Sequence, residues 1–305
     1  MVTKALRDQI FCEGCGVENI AGLKIIDTLM QRFGLQAWDN PSTVYNAASF
    51  RTATDPLDRV YGIMQIFGFR LGQSVEPDRQ FTLDELETQF AASINAESPV
   101  WGQLFVHSAV VPLGTSWRIS MTSILPPLLR FCITAPASSC SIRLDTSKTP
   151  VFRGLTCNFR GLNKLWQQNS DGMAGVEFWG WENALQLILL DVTNFSQQVP
   201  ENLRDIKNEN KETNQELSDL LADKFDDELR VFHLGHLCLP EVEELESDDE
   251  SENSPCASVG LIVHCVTVDG RCLWQRIGMS IWVDIPGTEI EGNSDLWFND
   301  SCLLG

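Results

Sequence analysis

Apolar residues recur at three- and four-residue steps in the first part of the chain, the period of helices that bury one face. Leu23, Ile26, Met30 and Phe33 mark one such face, and Gly34 stands where a glycine closes a helix. Asp55-Pro56-x-Asp58 opens another. Asp55 suits the N-cap, Pro56 the first helical position, and Asp58 the first turn, where negative charge is favoured. Leu57, Val60, Tyr61, Met64 and Phe67 supply its apolar face. Thr82 and Glu85 form a capping box ahead of Leu83, Leu86, Phe90 and Ile94. Residues 101–111 extend the same packing, so three or four helices can bury one another.

Past about residue 136 the pattern changes to short β-branched and aromatic runs broken by Gly, Asn and Ser. Candidate strands are 140–144, 151–158 and 176–181. The clearest hairpin joins 259–267 to 271–283 through Asp269-Gly270, a strong two-residue turn signal. Strict alternation puts Leu273, Gln275, Ile277, Met279, Ile281 and Val283 on one face, with Trp274 and Trp282 on the other. A polar insertion at about 201–256 interrupts these strands. Leu203, Ile206, Leu217, Leu220 and Leu221 fall at heptad-like steps, but Asn210 and Thr213 occupy the seam. That argues for a surface helix or loose arm rather than a coiled coil. Residues 241–253 contain no basic residue, and such a self-repelling block predicts a disordered loop. The fold class is therefore α+β. A helical region over 1–135 precedes a mostly antiparallel β-rich region over 136–305.

The segment Arg51-Thr-Ala-Thr-Asp55-Pro-Leu-Asp58-Arg-Val-Tyr61-Gly resembles the region just after the signalling domain of fungal heterokaryon-incompatibility (HET) proteins. Those proteins commonly carry an Ala-Thr-Asp-Pro-x-Asp-x-Val-Tyr helix start there. Glu76-Pro77-Asp78, Thr82-Leu83-Asp84-Glu85-Leu86, Ser116-Trp117, Gly260-Leu261-Ile262-Val263 and Arg276-Ile277-Gly278 resemble later elements of the same family. The resemblance covers about residues 50–120 and 258–283, and the Thr-Asp-Pro-x-Asp-x-Val-Tyr element is its most specific part. The family's Leu-Trp-Ile-Asp-x-x-Cys-Ile-like strand and Tyr-x-Trp-Gly segment have no counterpart in this sequence. The resemblance thus implies the flank of such a protein, tied to allorecognition and regulated cell death, without the signalling part.

A net charge of −20 on 305 residues opposes binding to nucleic acid and to anionic membranes. It allows a basic protein partner. The N-terminus, with Lys4, Arg7 and Asp8, has no apolar core of a secretory signal. The most apolar stretch, 124–136, is broken by Pro126, Pro127 and Arg130 and does not make a membrane span. Ten cysteines without a secretion signal read as reduced thiols in the cytoplasm.

Few residues suggest reaction chemistry. Cys12-Glu13-Gly14-Cys15 supplies half a structural zinc site. The rest would have to come from His233, His236, Cys238, His264 or Cys265. A regular strand puts His233 and His236 on opposite faces, which opposes joint ligation. His107, in the apolar run Leu104-Phe105-Val106, reads as a core or edge residue. Asp248-Asp249 lacks calcium-loop spacing, and no phosphate loop, dinucleotide fingerprint or Gly-x-Ser-x-Gly elbow is found. Asp55 and Asp58 are explained by capping, with Arg51 placed to bridge either acid. Trp179-Gly180-Trp181 reads as strand core. The expectation is a non-enzymatic regulatory or interaction region with no catalytic, cofactor or metal residues. The alternatives are a cytosolic enzyme or metal-supported module with a dispersed site, or an acidic-arm scaffold for a basic partner.

Overall fold

The computed structural model describes residues 41–48, 55–75, 78–125, 137–169, 177–178, 181–182, 186–204, 211–225, 228–238, 256–283 and 296–305. The helix expected at 23–34, Arg51, Cys12, Cys15, Trp179 and the acidic block 241–253 lie outside these residues.

Among the described residues four helices come first: α1 (Pro41–Ala48), α2 (Asp58–Phe67), α3 (Leu83–Glu97) and α4 (Pro99–Gln103). The Asp55 carboxylate accepts the Leu57 amide at 2.9 Å, but the N-cap position falls on Leu57, which makes no side-chain cap bond, so the expectation of Asp55 as N-cap is corrected. The turn that follows closes by i to i+3 bonds, Asp58 N to Asp55 O at 3.1 Å and Arg59 N to Pro56 O at 3.4 Å. The α-helix proper therefore begins at Asp58, later than Pro56 at its first position would imply. The capping box on α3 is as expected: Thr82 Oγ1 accepts the Glu85 amide and Glu85 Oε2 accepts the Thr82 amide. Val60 and Ile63 of α2 bury against Tyr45, Leu86, Phe90 and Ile94. The helical packing expected over 101–111 stops at Gln103, and the chain turns into β1 (Val106–His107), paired with β2 (Ser123–Ile124).

The main sheet has eight strands: β3 (Ala137–Ser138), β4 (Ser141–Leu144), β5 (Pro150–Asn158), β8 (Gln186–Leu190), β9 (Leu229–Cys238), β10 (Cys256–Val268), β11 (Arg271–Val283) and β12 (Phe298–Leu303). Between β5 and β8 comes a separate small hairpin of β6 (Glu177–Phe178) and β7 (Trp181–Glu182). The order is β12-β5-β9-β10-β11-β8, with β4 beside β5 and β3 beside β9, and every pairing is antiparallel. Asp269 and Gly270 both adopt positive φ, 49° and 74°, giving the tight turn between β10 and β11. Just past β12, Leu304 bridges to Trp274, and the Gly305 amide donates to the Trp274 carbonyl at 2.9 Å. In a flat sheet β12 and β11 would stand about 19 Å apart, so the sheet must curl.

Two bulges break the alternation expected from the sequence. Ile262 faces Gly278 while Val263 faces Arg276, which leaves Ile277 as an extra residue in β11. Trp274 consequently shares a core with Met279, Ile281 and Val283, while Ile277 packs with Trp282 on the opposite side. The single apolar face over 273–283 is corrected accordingly. In β9, Val259 faces Gly235 and Gly260 faces His233, so Leu234 is the extra residue. His233 and His236 thereby come to one face, with ring centroids 5.1 Å apart. The expectation that they oppose each other is overturned, because a bulge resets the period of two.

Helices cover both faces of the sheet. Ala91 of α3, Val100 of α4 and Leu104 just past it share a core with Leu234, Leu261 and Met279. On the other face lie α5 (Phe159–Asn169), α6 (Glu201–Arg204) and α7 (Lys211–Lys224). Trp166, Leu217, Leu221 and Phe225 pack there on Val231, Ile262, Ile277 and Trp282. The segment, read from sequence as a surface helix or loose arm, is a helix, and its leucines at 217 and 221 are packed rather than at the surface, 3% and 0% exposed. One stripe against a sheet suffices for α7, whereas a coiled coil would need the whole seam. Asn214 Oδ1 accepts the Ile188 amide of β8 at 3.1 Å, and Ser218 donates to Asn163 of α5 at 2.6 Å. Among the described residues, no helix is long and apolar enough to cross a membrane.

Candidate functional site

The densest gathering of polar chemistry lies where the helical layer meets β11. The bulge at Ile277 turns Arg276 toward that layer, and its side chain is fully buried. Its Nε donates to Asp191 Oδ2 at 3.0 Å, and its Nη1 to both the carbonyl and the side-chain oxygen of Gln103 at 3.1 Å. Nη2 donates to the Phe105 carbonyl, and the guanidinium lies 4.0 Å from the centroid of the Phe105 ring. Burial pulls the Arg276 guanidinium below its ordinary range, and Asp191 pulls it back. Asp191 follows the wholly buried run of β8, and its second oxygen accepts the His107 main-chain amide at 2.9 Å.

His107 and two serines complete the cluster. His107 Nε2 stands 3.0 Å from the Ser116 carbonyl, which can only accept, so that nitrogen carries the proton. Nδ1 then accepts from Ser123 Oγ at 3.2 Å. Burial lowers the His107 pKa despite the nearby Asp191, which favours the neutral ring. Ser116 Oγ accepts the Arg276 amide at 3.1 Å and donates to the Gly305 carbonyl. Gln103 also donates to Asn95 and to the Trp117 carbonyl. This single network joins α3, α4, β1, β2, β8, β11 and the end of β12.

The residue types Ser123, His107 and Asp191 invite comparison with a hydrolytic triad. Their connections differ. In such a triad the carboxylate bonds the imidazole N–H and holds its tautomer, whereas Asp191 binds the His107 amide and Arg276. Ser123, His107 and Asp191 are 2%, 0% and 0% exposed, so no substrate atom reaches them here. The arrangement positions main chain; it does not poise a nucleophile.

A second cluster links α1, α2 and α3. Tyr45 donates to Glu87, Arg59 lies 4.4 Å from the Tyr45 ring centroid, and Arg118 pairs with Asp84 and bonds Thr88. Burial raises the Glu87 carboxyl, while the Tyr45 bond and both arginines oppose that shift. The Arg118 bond holds the Asp84 carboxyl below its usual value. Asp58 takes no part in these bonds.

The cysteines are varied. Cys265 and Cys272 meet in disulfide contact across the β10–β11 hairpin, with Cα atoms 6.2 Å apart, which corrects the expectation that all ten are reduced thiols. Cys140, Cys157 and Cys302 are free. Burial pushes Cys140 and Cys302 up to about 12, which makes them poor nucleophiles. Of the zinc candidates, His264 bonds Glu228 at 3.0 Å, and His233 and His236 stand together. Among the described residues, no group of three or more His, Cys, Asp or Glu is arranged to hold a metal.

Sequence reasoning singled out His107, Ser116 and Arg276 separately and missed Asp191, Gln103 and Ser123. Asp191 left one usable signal, a lone carboxylate directly after Gln-Leu-Ile-Leu-Leu. Comparison of the chain with protein-family models, with curated proteins and with solved structures finds no match.

Proposed function

We propose that this chain is a non-enzymatic regulatory or interaction region of the kind that follows the signalling domain in fungal heterokaryon-incompatibility proteins. One observation carries the reading: residues on which the resemblance rests serve as framework. Ser116 and Arg276 belong to the same buried network. Gly278 lets β8 approach so closely that an added Cβ would lie 2.3 Å from the Leu189 carbonyl oxygen. Val60 of the Thr-Asp-Pro-x-Asp-x-Val-Tyr element is fully buried, and Thr82 and Glu85 form a cap. Such positions preserve a shape. The function of the shape is then to bind or restrain a partner, and killing is assigned to a part other than the fold described above.

The test is inducible expression of residues 1–305 in a filamentous fungus, with viable cells counted against a full-length protein of the same family as positive control. The chain alone is expected to leave viability unchanged. Death comparable to the control would place the toxic activity in this chain and end the reading.

A further inference from the structure

The hairpin of β10 and β11 outruns the sheet that carries it. Pairing of β9 with β10 ends where His264 stands opposite Leu229, with one further bond from the Cys265 amide to the Glu228 carbonyl at 3.2 Å. On the other side, pairing of β8 with β11 begins only at Gly278. Nearer the tip, Trp274 is met by Leu304 and by the Gly305 amide. Among the described residues no other strand pairs with 266–273, so the tip is a two-stranded ribbon closed by the Asp269-Gly270 turn. Such a ribbon alone is marginally stable in water. What ties its two strands together therefore decides how firmly it stays closed.

Two cysteines stand at the root of this ribbon. Cys265 lies opposite Trp274 and Cys272 opposite Thr267, with no shift of register between the two rungs. Directly opposed residues share a face, as do residues two apart on one strand. Cys265 and Cys272 are thus diagonal neighbours on one face, with Cα atoms 6.2 Å apart. Disulfides span about 4.4–6.8 Å between Cα atoms, so the bond needs no movement of the backbone. The surroundings of the two differ. Cys265 is half-buried against the core that holds Trp274, whereas Cys272 is exposed. Cys157 and Cys302, by contrast, are both buried.

From this geometry we propose that Cys265 and Cys272 form a reversible dithiol–disulfide site that exchanges with small-molecule disulfides of the glutathione type. Cys272 is the entry thiol, because it is the exposed member of the pair. Its thiolate attacks one sulfur of oxidised glutathione, forming a mixed disulfide and releasing one glutathione as thiolate. The Cys265 thiolate then attacks the Cys272 sulfur, closes the protein disulfide and expels the second glutathione. Two protein thiols are oxidised, one glutathione disulfide is reduced, and the two protons pass to the departing thiolates. Exposed disulfides are the labile ones, so reduced glutathione can run both steps backward. The bond spans only 7 positions of sequence and acts on the ribbon more than on the whole chain. Its reach extends one rung further. The Trp274 carbonyl accepts the Gly305 amide at 2.9 Å, the Gly305 carbonyl accepts Ser116 Oγ, and Ser116 Oγ accepts the Arg276 amide at 3.1 Å. Oxidation therefore clamps the strand ends where the ribbon joins the seam between helical layer and sheet, and reduction releases them.

The test uses the whole chain in buffers of graded reduced-to-oxidised glutathione ratio, with free thiols trapped by alkylation and located by peptide mass spectrometry. Cys265 and Cys272 are expected to lose alkylation together as oxidised glutathione rises. They should regain it when the ratio is reversed, with circular dichroism unchanged throughout. The linked peptide should vanish in Cys265→Ser and in Cys272→Ser, and persist in Cys302→Ala. Cys265→Ser should collect a glutathione adduct on Cys272 that has no second thiol to displace it. Amide hydrogen exchange over 265–274 should be slower in the oxidised wild type than in the reduced one. The wild-type titration reads the site even where a variant fails to fold. Four results would overturn it: no Cys265–Cys272 link at any ratio, a link that withstands reduced glutathione in the folded chain, an adduct that forms first on Cys265, or equal exchange of the tip in both states.

Discussion

Replacing Asp191 by asparagine keeps the shape of the residue and removes the charge that faces Arg276. In the folded chain the carboxylate accepts from Arg276 Nε at 3.0 Å and from the His107 amide at 2.9 Å. Unit charges at that separation attract by about 5.5 kcal/mol at an effective dielectric constant of about 20. Asparagine also offers only one acceptor oxygen, so its amide group must face one of the two donors. Arg276 would stay fully buried without a counter-charge, a situation that costs about 3–5 kcal/mol. Against a total stability of about 5–15 kcal/mol this is a large fraction. The assay is urea unfolding of the wild type, Asp191→Asn, Arg276→Gln and the double variant. Asp191→Asn is expected to lose about 3–5 kcal/mol, and the double variant to lose less than the sum of the singles by about 2–3 kcal/mol. A loss under about 1 kcal/mol, or strict additivity, would refute the claim that this pair locks the helical layer to the sheet.

Burial holds the His107 pKa below its ordinary 6.5, so its neutral ring contributes stability that is complete above that value. That contribution falls as pH drops through the lower folded value. Thermal scans between pH 7.5 and 5 should show an acid loss that His107→Gln reduces, and an unchanged slope would contradict the assignment. Gly278→Ala places a methyl group against the Leu189 carbonyl and should cost about 1–3 kcal/mol in chemical denaturation, as overpacking does. Thr82→Ala removes half of the capping box on α3 and should cost about 1 kcal/mol by the same measurement. Cys140 and Cys302, both raised to about 12, should resist iodoacetamide at pH 8 in the native chain and react once it is unfolded, as read by mass spectrometry.

Local signals carried the reading of the sequence a long way. The Thr82–Glu85 box and the Asp269-Gly270 turn depend on residues a few positions apart and stand where the sequence put them, and the strand expected at 140–144 runs over 141–144. The same holds for the α+β order of helices before sheet. Asp55 bonds the turn ahead of α2, but that turn is tighter than a helical one and moves the N-cap to Leu57. The helix α5 went unread, even though Asn158 caps it through the Arg160 amide at 2.9 Å.

Tertiary structure alone decided the rest. A bulge adds one residue to one strand, and the glycines in Arg276-Ile277-Gly278 and His233-Leu234-Gly235 hint at one without fixing which residue is extra. Yet the extra residues Ile277 and Leu234 decide which face receives Arg276 and whether His233 meets His236. Leu217 and Leu221 could face solvent or a sheet with equal local propensity, and only the exposed apolar face of β9–β11 settled it. Arg276, Asp191 and His107 lie far apart in the chain, and a charge can be buried only when its partners arrive together. Sequence by itself determined the pieces that hydrogen-bond within a few residues, because their energy is local. Where polar groups are desolvated, and against what, depended on the closed sheet.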